Sequence, residues 1–227
     1  MALREALDEL RRAERPTMVV DTVGRPRSVA LLSGSFDPPT VGHVGLAEAA
    51  AEGSELVVLV YSVRTLPKEG ATSPPLLSEQ ERVQALEVLC GGGSRRLAAA
   101  VCSHGLLLDQ AAAAALRFPG AVLHVVVGSD KALQMLDPRW YDDRDGALER
   151  LFALADVRYA VRGGDEGAVE AALELPENTR WRGRFRRLEI APEISAVSSR
   201  SVRDRVRAGG DVTDLVPPEV LSYLSRV

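Results

Sequence analysis

Residues 29–52 read VALLSGSFDPPTVGHVGLAEAAAE. The stretch opens on four apolar residues, 29–32, a short β-rich run that Gly34 brings to a stop. Pro38 and Pro39 stiffen the turn that follows. An alanine-rich helical pattern then occupies 44–52. Outward from this unit the same alternation recurs. Further β-rich runs lie at 56–61, 97–101, 122–127, 158–161 and 187–190, with helical patterns at 78–89, 106–117, 131–136, 147–155 and 166–175. Strand, helix, strand in repetition predicts a parallel sheet with helices on both faces. The run VLHVVV at 122–127 is nearly all apolar, as a central strand covered on both sides must be.

The flanks are simpler. Leu3, Leu7 and Leu10 recur at helical spacing, so 2–14 reads as an amphipathic helix ending before Pro16. Residues 15–28 read as a linker or an irregular strand. This predicts an N-terminal helix and linker over 1–28 and a single α/β domain over 29–227, with a small C-terminal helical part. The five alanines 111–115 predict a tight helix–sheet contact. At 227 residues the chain suits one large or two small domains, and no repeat or composition break divides it. Hydrophobic residues make up 46% and charged residues 26%, an ordinary globular balance. A net charge of −4 argues against a dedicated nucleic-acid binder. The charged N-terminus MALREALDELRRAERP reads neither as an export signal nor as a membrane span, so a cytoplasmic protein is expected. Cys90 and Cys102 lack metal-ligand spacing and read as buried, reduced thiols. Homo-oligomerisation is left open.

In an open α/β sheet, ligands bind beyond the carboxyl ends of the strands, where residues 34–43 fall. Glycine lets backbone approach a ligand closely. His43 stands near a helix start, whose N–H groups and dipole favour an anion. Together these suggest phosphate, and phosphates favour the charged form of a neighbouring imidazole. A second stretch, VSSRSVRDRV at 197–206, offers Ser198 or Ser199 as a helix N-cap. Arg203 lies four residues after Ser199, on the same face. Hydroxyl, N–H groups and guanidinium then converge on one anion. Taken singly, each stretch also fits a plain structural turn or a capped surface helix.

Residues 34–43, GSFDPPTVGH, resemble the G-[ST]-F-D-P-x-[HT]-x-G-H motif of the nucleotidylyltransferase superfamily. Its members include nicotinate and nicotinamide mononucleotide adenylyltransferases, phosphopantetheine adenylyltransferases and cytidylyltransferases. Residues 197–203 resemble the family's I-S-S-[TS]-x-x-R segment, with Arg200 where Thr or Ser is usual. Residues 125–143, VVVGSDKALQMLDPRWYDD, resemble a strand–G-x-D segment and the L-x-x-W-Y of the bacterial nicotinate mononucleotide branch. The resemblance implies a Rossmann-like, doubly wound parallel sheet. It implies ATP held by Gly34, Ser35, Phe36, Gly42, His43, Gly128, Asp130, Ser198, Ser199 and Arg203. His43, Thr40 and Arg203 would serve the reacting phosphates. A phosphorylated small-molecule acceptor would lie against Trp140, Tyr141, Lys68 and Arg82. No protein metal site is implied; Mg²⁺ would be held mainly by the nucleotide phosphates.

The chain has three histidines, His43, His104 and His124, and no evident nucleophile–base set. Adenylyl transfer to a phosphate needs none, because a phosphate monoester is largely ionised at neutral pH, with a second pKa of about 6. Thr40 stands where most mononucleotide adenylyltransferases have histidine and where phosphopantetheine enzymes usually have threonine. The segment RWRGRFRR, 180–187, reads most simply as a charged edge strand, though an anionic substrate or a partner also fits it. Three readings follow: a nicotinate or nicotinamide mononucleotide adenylyltransferase, another nucleotidylyltransferase using phosphopantetheine or CTP, and a nucleotide-binding relative without turnover. Trp140, Tyr141 and chain length favour the first, Thr40 the second and Arg200 the third.

Overall fold

Valine, leucine and alanine runs without polar alternation need cover on both faces, and the structure supplies it. The computed structural model describes residues 3–22, 24–64, 74–91, 96–161 and 166–224. Seven strands form one sheet: β1 (Met18–Val20), β2 (Ser28–Ser33), β3 (Leu56–Ser62), β4 (Leu97–Cys102), β5 (Val122–Gly128), β6 (Ala155–Ala160) and β7 (Phe185–Leu188). Their order is β1-β4-β3-β2-β5-β6-β7. β2 to β7 run parallel, and β1 joins the β4 edge antiparallel, Met18 opposite Cys102. The six parallel strands thus have the doubly wound Rossmann order, with the switch point between β2 and β5. All of β4 and nearly all of β3 are buried.

One face of the sheet is covered by α1 (Leu7–Arg12), α2 (Val41–Ala51), α3 (Glu79–Cys90) and α10 (Pro218–Leu224). The other face carries α4 (Leu107–Arg117), α5 (Ser129–Leu136), α6 (Arg144–Phe152) and α7 (Ala168–Glu174). Two short helices, α8 (Pro192–Ser195) and α9 (Ser199–Arg207), lie on the α2 side of the sheet, where α8 packs on α2 and Val202 of α9 joins the core. The N-terminal leucines belong to the same core: Leu3, Leu7 and Leu10 are buried with Leu59 and Leu89. The alanine run does what its size allows. Ala111, Ala113 and Ala114 of α4 are buried against the sheet face that carries Ala98 and Ala100.

Helix starts depart from the sequence reading, and caps explain why. Two helices begin three residues before their apolar stripe. Thr40 caps α2, so the helix starts at Val41 rather than 44. The Asp143 carboxylate accepts from Gly146 N–H and starts α6 at Arg144 rather than 147. β6 and β7 each begin earlier than expected, and the stretch read as a linker or an irregular strand contains the short strand β1.

Candidate active site

The switch point brings two loops together. Leu32 of β2 pairs with Val126 of β5, so Gly34 and Gly128, two residues on in each strand, leave the sheet side by side. The turn after β2 is held from within. Gly34 N–H donates to Val60 C=O at 3.1 Å. Phe36 adopts φ 45°, and its ring is wholly buried against Gly34, where a Cβ would stand 2.9 Å from it. The Asp37–Pro38 peptide is cis. Ser35 is half-buried in this turn. The two motif glycines face protein rather than open space. A Cβ on Gly42 would meet Val197 O at 2.4 Å and Ile194 O at 3.0 Å, so α2 enters hard against the segment before α9.

His43 lies inside the first turn of α2, half-buried, and tilted against Phe36 with ring centroids 5.0 Å apart. Thr40 N–H donates to His43 Nδ1 at 3.1 Å, and Thr40 Oγ1 lies 2.8 Å from the same nitrogen. A backbone N–H can only donate, so Nδ1 is the accepting nitrogen and Nε2 carries the proton. The ring is therefore built as a neutral donor through Nε2. Thr40 itself is fully buried, and its hydroxyl caps α2. Within the protein, the Thr40 hydroxyl is in contact with His43.

Ser198 is the N-cap of α9, with Ser201 as its capping partner. Ser199 and Arg203 share a helix face as expected, and that face meets the 37–38 turn. Ser199 Oγ donates to Pro38 C=O at 2.8 Å, and Arg203 Nη1 donates to Asp37 C=O at 2.7 Å. These carbonyls are what that face of α9 holds. Arg82, in the first turn of α3, donates through Nε to Leu77 C=O at 2.8 Å. The residue that sequence reading missed is Asp37. It is buried, and its carboxylate accepts from Leu77 N–H at 2.8 Å while lying within ion-pair distance of Arg82 and Arg203. Its signal was available: it is the acidic member of the quoted motif.

On the other side of the switch point, Gly128 is the N-cap of α5 and Asp130 is exposed in its first turn. Trp140 and Tyr141 follow one helix later, roughly 12 Å along α5 at 1.5 Å per residue. Trp140 ends a 3₁₀ turn, Pro138–Trp140, and is 51% exposed beside a cleft of about 270 Å³ that it lines with Arg139. It does not cap the core, a role that Trp181 fills. Tyr141 is half-buried, and burial pushes its phenol up. Lys68 lies outside the described residues. Arg200 is exposed on the first turn of α9.

Four arginines of 180–187 face acids of the same chain. Arg180 pairs with Asp145 and Glu149, Arg182 with Glu174, Arg184 with Asp156 and Arg187 with Glu170. His104 is set by Ser103 Oγ at 2.8 Å on Nδ1 and Arg64 at 3.0 Å on Nε2. Cys90 and Cys102 are buried, and burial pushes the Cys102 thiol up to about 11. Among the described residues no helix is long and apolar enough to cross a membrane.

A doubly wound sheet with a histidine-bearing turn, a helix-borne arginine and a Gly-x-Asp start, all at the carboxyl ends of its switch-point strands, defines a nucleotide-handling α/β enzyme of the nucleotidyltransferase class. The chain belongs to the cytidylyltransferase-like family, whose profile matches residues 31–205. It is 27% identical to a probable nicotinate-nucleotide adenylyltransferase of Rhodopirellula baltica, over 87% of this chain and 91% of the relative. It is 30% identical to a protein of the same designation from Laribacter hongkongensis, over 87% and 91%. It is 26% identical to a phosphopantetheine adenylyltransferase of Ruegeria pomeroyi, over 87% and 96%.

Proposed function

We propose that the protein transfers the adenylyl group of ATP to nicotinate mononucleotide or its amide. The observation that carries this reading is Trp140. A large aromatic ring left half in solvent beside a cleft presents a face on which a flat ring such as a pyridine can stack. The relatives designated nicotinate-nucleotide adenylyltransferases support it. Thr40, which weighed toward the phosphopantetheine reading, carries less weight once its hydroxyl is seen to serve His43.

The chemistry asks for alignment, not for a base. A phosphate oxygen of the acceptor attacks the α-phosphorus of ATP; that P–O bond forms as the α–β bridging bond breaks, and pyrophosphate leaves with the electron pair. His43 Nε2–H donates to an α-phosphate oxygen as its charge grows. Arg203 and Arg82 offset charge on the departing pyrophosphate. Mg²⁺ would arrive on the nucleotide phosphates and neutralise them.

Pyrophosphate release should be measured with ATP and with CTP, against nicotinate mononucleotide, its amide and phosphopantetheine. Trp140→Ala should raise KM for the mononucleotide by roughly ten- to a hundredfold, the worth of one stacked ring. KM for ATP should hold, and Trp140→Phe should recover most of the loss. A lower melting temperature with unchanged KM for every acceptor would mean that Trp140 serves packing alone and would remove the support for a pyridine acceptor.

A further inference from the structure

The two arginines of the candidate site reach the same oxygen. Arg82 Nη2 lies 3.6 Å and Arg203 Nη1 3.5 Å from Asp37 Oδ2. The other carboxylate oxygen, Oδ1, accepts from Leu76 N–H at 3.0 Å and Leu77 N–H at 2.8 Å. All three side chains are largely withdrawn from water, with 6%, 11% and 20% of their surface exposed for Asp37, Arg82 and Arg203. Oδ2 also accepts from Leu76 N–H at 3.2 Å, so one carboxylate both anchors the backbone ahead of α3 and sets the spacing of two guanidinium groups that arrive on different helices.

We propose that Asp37 is a positioning residue for polyphosphate. Two guanidinium groups brought this close repel one another, and each has a long side chain with entropy to lose. A buried carboxylate between them cancels one positive charge and fixes both. The cluster keeps one net positive charge. Arg203 spends Nη1 on Asp37, to the carbonyl at 2.7 Å as well as to the carboxylate. Arg82 spends Nε on Leu77 C=O. An arginine has five N–H donors in a fixed fork, so each retains N–H groups for a phosphate oxygen. Asp37 touches no reacting atom; it acts by presenting Arg82 and Arg203 in one geometry before ATP arrives.

The inference rests on the adenylyl-transfer reading for the nucleotide, and not on the identity of the acceptor. Its test is Asp37→Asn, a near-isosteric change. The amide oxygen can keep the Leu76 and Leu77 bonds at Oδ1, while its NH₂ faces the arginines and gives up the second Leu76 contact at Oδ2. Binding of Mg-ATP and of inorganic pyrophosphate should be titrated calorimetrically for the wild type, Asp37→Asn, Arg203→Ala and the double variant. Asp37→Asn should weaken both ligands by roughly ten- to a hundredfold, the scale of one charge-assisted contact. In the Arg203→Ala background the same change should cost much less, because Asp37 acts through that arginine. KM for the acceptor should be unmoved. Fully additive losses, unchanged affinities, or a wild type that binds neither probe would overturn the proposal. Should Asp37→Asn fail to fold, Arg82→Lys with Arg203→Lys gives the second route. Ammonium groups keep the charge but lose the fork, so polyphosphate affinity should fall, and unchanged affinity would again overturn it. A wild type that binds both probes but transfers nothing to a pyridine mononucleotide would refute the proposed acceptor and leave Asp37 in place.

Discussion

At the scale of residues, His43 shows what a motif can and cannot disclose. Its position behind a tight turn pointed to phosphate, and the structure sets it at the carboxyl end of β2. Its protonation follows from its neighbour. Thr40 N–H occupies Nδ1, so the ring offers a single N–H through Nε2. His43→Ala should therefore lower kcat by roughly 10²- to 10³-fold, the scale of losing one preorganised donor, with the fold intact by circular dichroism. A neutral donor makes a further demand. The wild-type kcat should not decline as pH rises from about 6.5 to about 8.5, across the ordinary titration of imidazole. A steady fall over that range would return His43 to the role of a cation. The sequence could name His43, Arg203 and the serines because their types suit phosphate. It could not say that Ser199 reaches Pro38, or that Asp37 lies between two arginines, because those partners sit more than a hundred residues away or on another helix.

At the scale of elements, most of the fold was legible. Parallel strands covered on both faces leave long apolar runs, and helices between them leave a stripe; both survive in composition. What escaped was short or set by caps. β1, Met18–Val20, reads in the sequence only as a linker or an irregular strand, because it takes its place from pairing with β4. α8 is a single turn that begins at Pro192. Gly42 has a packing duty that the sequence reading did not see: its Cα admits the carbonyls of Val197 and Ile194, and so seats α2 against the α8–α9 link. Gly42→Ala must push these apart, since a Cβ 2.4 Å from a carbonyl oxygen cannot be tolerated and backbone cannot rotate away. The expected cost is about 1–3 kcal/mol of stability, as for other overpacked sites. Activity should fall as well, because the displaced segment carries Ser199 and Arg203. Guanidinium unfolding and a steady-state assay on the same preparation check both. An alanine variant with wild-type stability would show that the α2–α9 contact is slack.

At the scale of the whole molecule, α2 is fastened at both ends, and the far end gives the protein a sensitivity to acid. Arg158 of β6 is buried, and its guanidinium donates to Ala50 C=O, Gly53 C=O and Ser54 Oγ, closing the C-terminal end of the helix whose first turn holds His43. On the neighbouring strand, His124 lies with its Nδ1 buried and without a hydrogen-bond partner. Burial first, and then the positive charges of Arg158 and Arg186, push its pKa down to about 4, against a partial pull upward from Asp156. The folded protein thus keeps His124 neutral where the unfolded chain, near 6.5, takes up a proton. Between those two values the unfolded state binds more protons, so this share of the stability is whole above about pH 6.5 and is lost as pH falls toward 4. His124→Gln removes the titrating group and keeps a polar side chain of similar reach. Melting temperatures of both proteins should be followed from about pH 7.5 to about pH 4, across the imidazole range. The wild type should fall away from the variant below about pH 6.5, while the carboxylates common to both titrate alike. Parallel curves across the whole range would show that His124 takes its proton in the folded state as readily as in the unfolded, and that neither burial nor Arg158 governs it.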